Sequence, residues 1–183
     1  MQDFTPTKEQ ISLHGLGFIQ IVLPAGRRLH VWHPDLPRRK CYEHSSIHNH
    51  RFSFQSTVLV GHQVNRRFHV VMHPEGTHEA ISHDGPRSAK GGRISFPVGR
   101  VNVVPKTDTT EIYGPGQSYT MAALEYHDTP NAGVVVTLME KLHEGRIHAN
   151  SIIRAGVMFD QGFDRYQLPP ERLWQFVTDA LKA

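Results

Sequence analysis

Short apolar runs separated by turn residues recur along most of the chain, a pattern of strands rather than of long helices. Phe18-Ile19-Gln20-Ile21-Val22-Leu23 and Leu29-His30-Val31-Trp32 are rich in β-branched and aromatic residues, and Pro24-Ala25-Gly26 between them reads as a turn. Pro34 and Pro37 make the next stretch a loop, because each lacks a backbone donor and disfavours helix before it. Val58-Leu59-Val60 predicts a core strand ending at Gly61, and in the strand after it Val64, Phe68 and Val70 share one parity and hence one buried face. Val98 to Val104, Thr109 to Tyr113, Ser118 to Ala122 and Val134 to Met139 continue the series, with Gly114-Pro115-Gly116 as a turn. About eight to ten short strands of this kind predict an all-β sandwich or barrel.

Helical signals stand only at the two ends. Thr7-Lys8-Glu9-Gln10 fits a capping box, which predicts a short N-terminal helix stopping near Gly15. From Pro170 to about residue 182, Leu173, Phe176, Val177 and Leu181 form an apolar stripe, Pro170 suits a first turn and Glu171 complements the helix dipole. Between Pro74 and about Gly92 the composition turns to Gly, Pro, His and charge without periodicity, so this stretch reads as an insertion or flap with His78 and His83 in solvent.

With 183 residues the chain is long enough for one well-buried domain, 1–183, whose barrel runs from about residue 18 to 140. The net charge of +3 is too small for a nucleic-acid partner unless its basic residues gather on one face, and Arg38-Arg39-Lys40 and Arg66-Arg67 read as solvated surface. The single Cys41 excludes an internal disulfide and fits a reducing compartment. No apolar run is long enough for a membrane span and no secretory leader precedes the first strand, so a cytoplasmic location is expected. The outlying count is 14 histidines, far more than one metal site needs.

Two of them carry a spacing. In an extended Ile47-His48-Asn49-His50, His48 and His50 lie on one face and aim at a common point, as a metal ion requires, and a third ligand is needed from elsewhere. His127 sits just before a turn that feeds the apolar strand at Val134.

The spacing His48-x-His50-x4-Gln55-x5-Gly61, followed by His127-x3-Asn131, resembles the two sequence motifs of the cupin superfamily. The resemblance implies a double-stranded β-helix, or jelly roll, with His48, His50, Gln55 and His127 converging on a divalent transition metal inside the barrel. Gln55 stands where the family carries Glu, and Ala123-Leu124-Glu125 replaces its Pro-x-Gly turn. Imidazole ligands accept Fe2+, Mn2+, Ni2+, Co2+ or Zn2+, and a shell without a carboxylate favours an anionic or chelating small molecule. A three-histidine face with open positions is similar to the thiol dioxygenase branch of cupins, so Fe2+ and a dioxygenase are the first expectation. A sugar or nucleotide-sugar isomerase and a non-enzymatic binding barrel are the alternatives, and the family implies a homodimer.

The candidate acid/base groups are Glu125, Tyr119, Glu111 and Tyr113. Glu125 shares the face of His127 if the strand is regular, but its plainer reading is an exposed strand-end charge. Arg51 and Arg100 are candidates for holding an anionic substrate, with surface pairing as the plainer reading.

Overall fold

The structure, a computed structural model, describes residues 10–84, 94–107, 110–144 and 148–182. Thirteen strands, one α-helix and a short 3-10 turn at Lys40–Glu43 are found there: β1 (Ile11–His14), β2 (Phe18–Val22), β3 (Arg27–Trp32), β4 (Ile47–His48), β5 (Phe52–Val60), β6 (Gln63–Met72), β7 (His78–Asp84), β8 (Ile94–Pro105), β9 (Glu111–Tyr113), β10 (Ser118–Met121), β11 (Tyr126–Asp128), β12 (Val135–Glu144), β13 (Ala149–Arg154) and α1 (Pro170–Ala180). They form a six-stranded sheet in the order β1-β2-β3-β12-β5-β10 and a second sheet in the order β11-β4-β13-β7-β8-β6-β9. Because β11 also pairs with β6, six strands of the second sheet close into an antiparallel ring.

Closure gives the ring its own apolar filling. Ile47, Ala80, Val101 and Ile152 pack together with Phe68, Val70, Val103 and Tyr126, so every strand of the ring contributes. Alternation then turns His48, His127 and Ser151 to the ring's other face, toward the first sheet. In that sheet β2 is buried on both sides: Ile19 and Ile21 go under α1 with Leu173 and Val177, while Phe18 and Gln20 line a cavity between the sheets.

α1 covers β1 and β3 through Leu173, Val177 and Ala180, with Phe176 partly buried. Leu181, expected in the apolar stripe, is the C-cap of the helix and is exposed. Leu173 is 1% exposed, so Leu173→Ala is expected to cost about 2–5 kcal/mol, read as a lower denaturant midpoint with an unchanged slope. None of the described helices is long and apolar enough to cross a membrane.

Two expectations are corrected. The predicted N-terminal helix does not reach Gly15, because Ile11–His14 is a strand paired to β2; Thr7, Lys8 and Glu9 lie outside the described residues. Tertiary pairing overrides the local capping signal, and Ile11 and Leu13 gain burial on the face under α1. Nor is Pro74 to Gly92 a flap throughout: β7 pairs with both β8 and β13 and buries Ala80 to His83, while 85–93 lies outside the described residues. Its polar composition reflects an interior that is itself polar.

Candidate metal centre

Backbone register assembles the histidines. His127 of β11 is directly opposite His48 of β4, and His50 follows two residues later on the way into β5. Their ring centroids stand 4.8 Å (His48 to His50), 4.5 Å (His48 to His127) and 5.3 Å (His50 to His127) apart. One ligand nitrogen from each lies within 4.8 Å of the others, close enough for all three to bind one ion.

The donor set fits a divalent transition metal. Nε2 of His50 and Nε2 of His127 are 3.1 Å apart. Two imidazole nitrogens bound at right angles to one ion at about 2.0–2.1 Å would stand about 3 Å from each other. His48 Nδ1–H donates to the Ser46 carbonyl at 2.9 Å, which fixes the tautomer that offers Nε2 as the lone-pair nitrogen. His127 Nδ1, the ring nitrogen away from the His50 contact, is buried without a partner, so with Nε2 on an ion it would carry the proton and lack the acceptor that Ser46 provides for His48.

Burial, the neighbouring His48 and the Arg67 guanidinium all push the His127 pKa well below the ordinary histidine value, so the ring is neutral and ready to coordinate. The sign of the linkage follows. Below about pH 6.5 the unfolded chain takes up a proton here that the folded chain refuses, so stability present above that pH is lost as pH falls. In metal-free protein, urea titrations at pH 7.5 and 5.5 are expected to show wild type losing about 1.4 kcal/mol more than His127→Gln. Equal losses would contradict the depressed pKa.

Gln55 is not in this group. It is exposed, whereas Phe54 and Ser56 on either side of it are buried and line the cavity, so strand alternation puts Gln55 on the outer face of β5. Phe54 takes the inward position, its ring 5.0 Å from that of His50, and Phe52 stands 5.4 Å from the same histidine. The site is therefore walled by aromatic carbon on the side where the motif comparison expects a polar ligand. Asn131 also stays apart: it accepts from the Val64 amide and donates to Gln63 Oε1, tying the turn after β11 to the start of β6.

Tyr119 lines the cavity and is 8% exposed; burial raises its pKa, so its hydroxyl keeps its proton and serves as a donor rather than a base. Glu125 is neither exposed nor in the cavity lining. Leu124 at φ 64° breaks the strand before it, and the Glu125 carboxylate bonds Arg67 and Lys106. Burial would raise its pKa, but the Lys106 hydrogen bond and the Arg67 and Lys106 charges outweigh that and hold it low. Arg51 lines the cavity, while Arg100 is exposed and donates to the Gly76 carbonyl.

Several interior polar groups carry no local sequence signal. Arg67, read as surface, lies opposite His127 on β6 and bridges Glu111 and Glu125; Arg66 pairs with the buried Asp128. His83, read as solvated, is 5% exposed and bonds Ser95 Oγ through Nδ1 and Ser151 Oγ through Nε2, with Tyr42 also on Ser151. Ser151 is opposite His48 in register, so this network adjoins the histidines. The one available hint was Gln63 and Asn65 alternating on the parity that lines the interior. The cavity that Gln63, His83 and Ser151 line together with the three histidines holds about 830 Å³. No family model matches the chain, and a search of curated proteins likewise finds no match.

Proposed function

We propose that the chain is a metal-dependent enzyme of cupin type, a jelly-roll barrel in which His48, His50 and His127 hold Fe2+ for the oxidation of a small organic molecule by O2. The observation that carries this reading is the convergence of three imidazoles, with no carboxylate among them, on the wall of a large cavity lined by both polar and aromatic side chains. Bound there, a ferrous ion supplies a Lewis acid with open positions for O2 and a chelating substrate.

The chain's own residues prepare that site. Ser46 orients the His48 ring, Phe52 and Phe54 keep water from the flank of His50, and the Tyr119 hydroxyl is a proton-bearing group on the cavity wall. The isomerase or epimerase reading needs a base beside the ion, and the Glu125 carboxylate is engaged by Arg67 and Lys106 instead.

Full-length protein purified without a histidine tag and reconstituted anaerobically tests the reading. One ferrous ion per chain is expected, with a high-spin nitrosyl signal on addition of nitric oxide, since open positions must admit a diatomic ligand. Failure to bind iron stoichiometrically would sink it, and iron bound without the nitrosyl signal would leave a binding barrel rather than an oxygenase.

A further inference from the structure

The charged residues that line the cavity are of one sign with a single exception: Arg28, Arg39, Arg51, Lys141 and Arg165 against Asp84. Asp84 itself is exposed and stands 3.3 Å from His148 Nδ1. Two of the cations are held in place by neutral groups alone. Arg165 donates from Nε to the Leu13 carbonyl at 3.2 Å and from Nη2 to Ser12 Oγ at 2.8 Å. Its backbone carbonyl accepts from the Leu13 amide, so the segment before α1 is docked along β1.

Arg39 donates from Nη1 to the Asp160 carbonyl at 2.8 Å and lies 5.0 Å over the Phe159 ring. Its stem runs against Gly15, where an added Cβ would come within 3.0 Å of Arg39 Nε, so the absence of a side chain at Gly15 makes room for the guanidinium. Among the described residues neither arginine forms an ion pair with a carboxylate.

We propose that Arg39 and Arg165 form an anion site that takes a carboxylate or phosphate group of the molecule the cavity holds. Two half-buried guanidiniums on the wall of one cavity, neither ion-paired to a carboxylate among the described residues, are a charge that hydrogen bonds to neutral groups alone do not compensate. Burial lowers the Arg165 pKa and the Arg39 charge lowers it further, against an opposing effect of Tyr166; a bound anion would offset the repulsion between the two guanidiniums. Both side chains are already fixed by hydrogen bonds and packing, so binding costs little ordering, and charge-assisted bonds to guanidinium are among the strong ones.

The site adjoins β1, one edge of the first sheet, and is joined to the histidines through side chains: the Phe159 ring under Arg39 is 5.5 Å from that of His83, which bonds Ser151, opposite His48 in register. A molecule held by the two arginines therefore has the three histidines on the wall of the same cavity. The proposal deepens the reading of the cavity as a substrate chamber, yet the anion site needs no metal.

Calorimetric titration of the chelator-treated full chain with inorganic phosphate, and separately with succinate, tests it. Saturable binding of one anion per chain is expected, weakening with added salt, and the tighter of the two identifies the group. Arg39→Gln and Arg165→Gln are each expected to weaken it at least tenfold while still binding one zinc ion per chain like wild type. If one variant does not fold by circular dichroism, the other decides. No saturable binding of either anion, or wild-type affinity in the folded variants, overturns the proposal. Anion binding without zinc binding would sink the metal reading alone, and zinc binding without anion binding would sink this one alone.

Discussion

His127→Ala is expected to lower the affinity for a divalent transition metal by at least about 100-fold, more than loss of an outer hydrogen-bond partner costs a metal site. His127 is the ligand the fold controls most tightly. It is 3% exposed, sits opposite His48 in register, and its Nε2 already stands 3.1 Å from His50 Nε2. Competition against a chromophoric chelator measures the change, with Gln55→Ala as the comparison. Because Gln55 is exposed on the outer face of β5, its replacement is expected to leave affinity within about threefold, a shift under 1 kcal/mol. A large loss at Gln55 and none at His127 would reverse the assignment of the site.

The second large effect is expected at Arg67. Its guanidinium bonds Glu111 through Nε and Nη2, Glu125 through Nη1 and the Thr120 carbonyl through Nη2. The side chains of Arg67, Glu111 and Glu125 are only 18%, 31% and 12% exposed, so Arg67→Met strands two half-buried carboxylates beside each other. Lys106 still reaches Glu125 at 2.8 Å and softens the loss. The expected cost is about 2–3 kcal/mol in chemical denaturation, at or just below the range for breaking a buried pair. Adding Glu125→Gln to Arg67→Met should recover part of it, because one stranded charge is then removed; strictly additive losses would show that the two side chains do not interact. The same substitution removes one of the charges that depress the His127 pKa, so the loss of stability on acidification, which still begins at the unfolded-state pKa, should end at a higher pH and be smaller.

How much of this is legible in the chain depends on whether the cause is local. Period-2 alternation and turn residues specify the strands at 18–22, 27–32, 52–60 and 135–144 because they act within a few residues. The same locality misleads at the N-terminus, where a capping signal at Thr7 to Gln10 competes with strand pairing of Ile11–His14 to β2, and pairing wins. It misleads again at 78–84, whose histidines and charges look like loop although Ala80 to His83 are buried.

At the site, the His48-x-His50 spacing supplied two positions on one strand face, and the resemblance of His127-x3-Asn131 to a second family motif supplied the third residue; the three lie close enough to hold one ion. They were not sufficient to choose between Phe54 and Gln55 as the inward residue of β5, since a shift of one position reverses every side chain and only the packed sheet fixes that phase.

By itself, then, the sequence determined that the chain is built of β-strands with a terminal helix, and that three histidines are available to one ion. The tertiary structure alone decided that six strands close into a ring with its own apolar filling, which turns the opposite faces of β4, β11 and β13 toward the first sheet. It also decided that Arg67, His83, Arg39 and Arg165 belong to the interior and not the surface. The physical reason is range: propensity and alternation act over a few residues, whereas the partner that justifies burying a charge or an imidazole lies on a strand tens of residues away, as Glu125 does from Arg67 and Ser151 from His83.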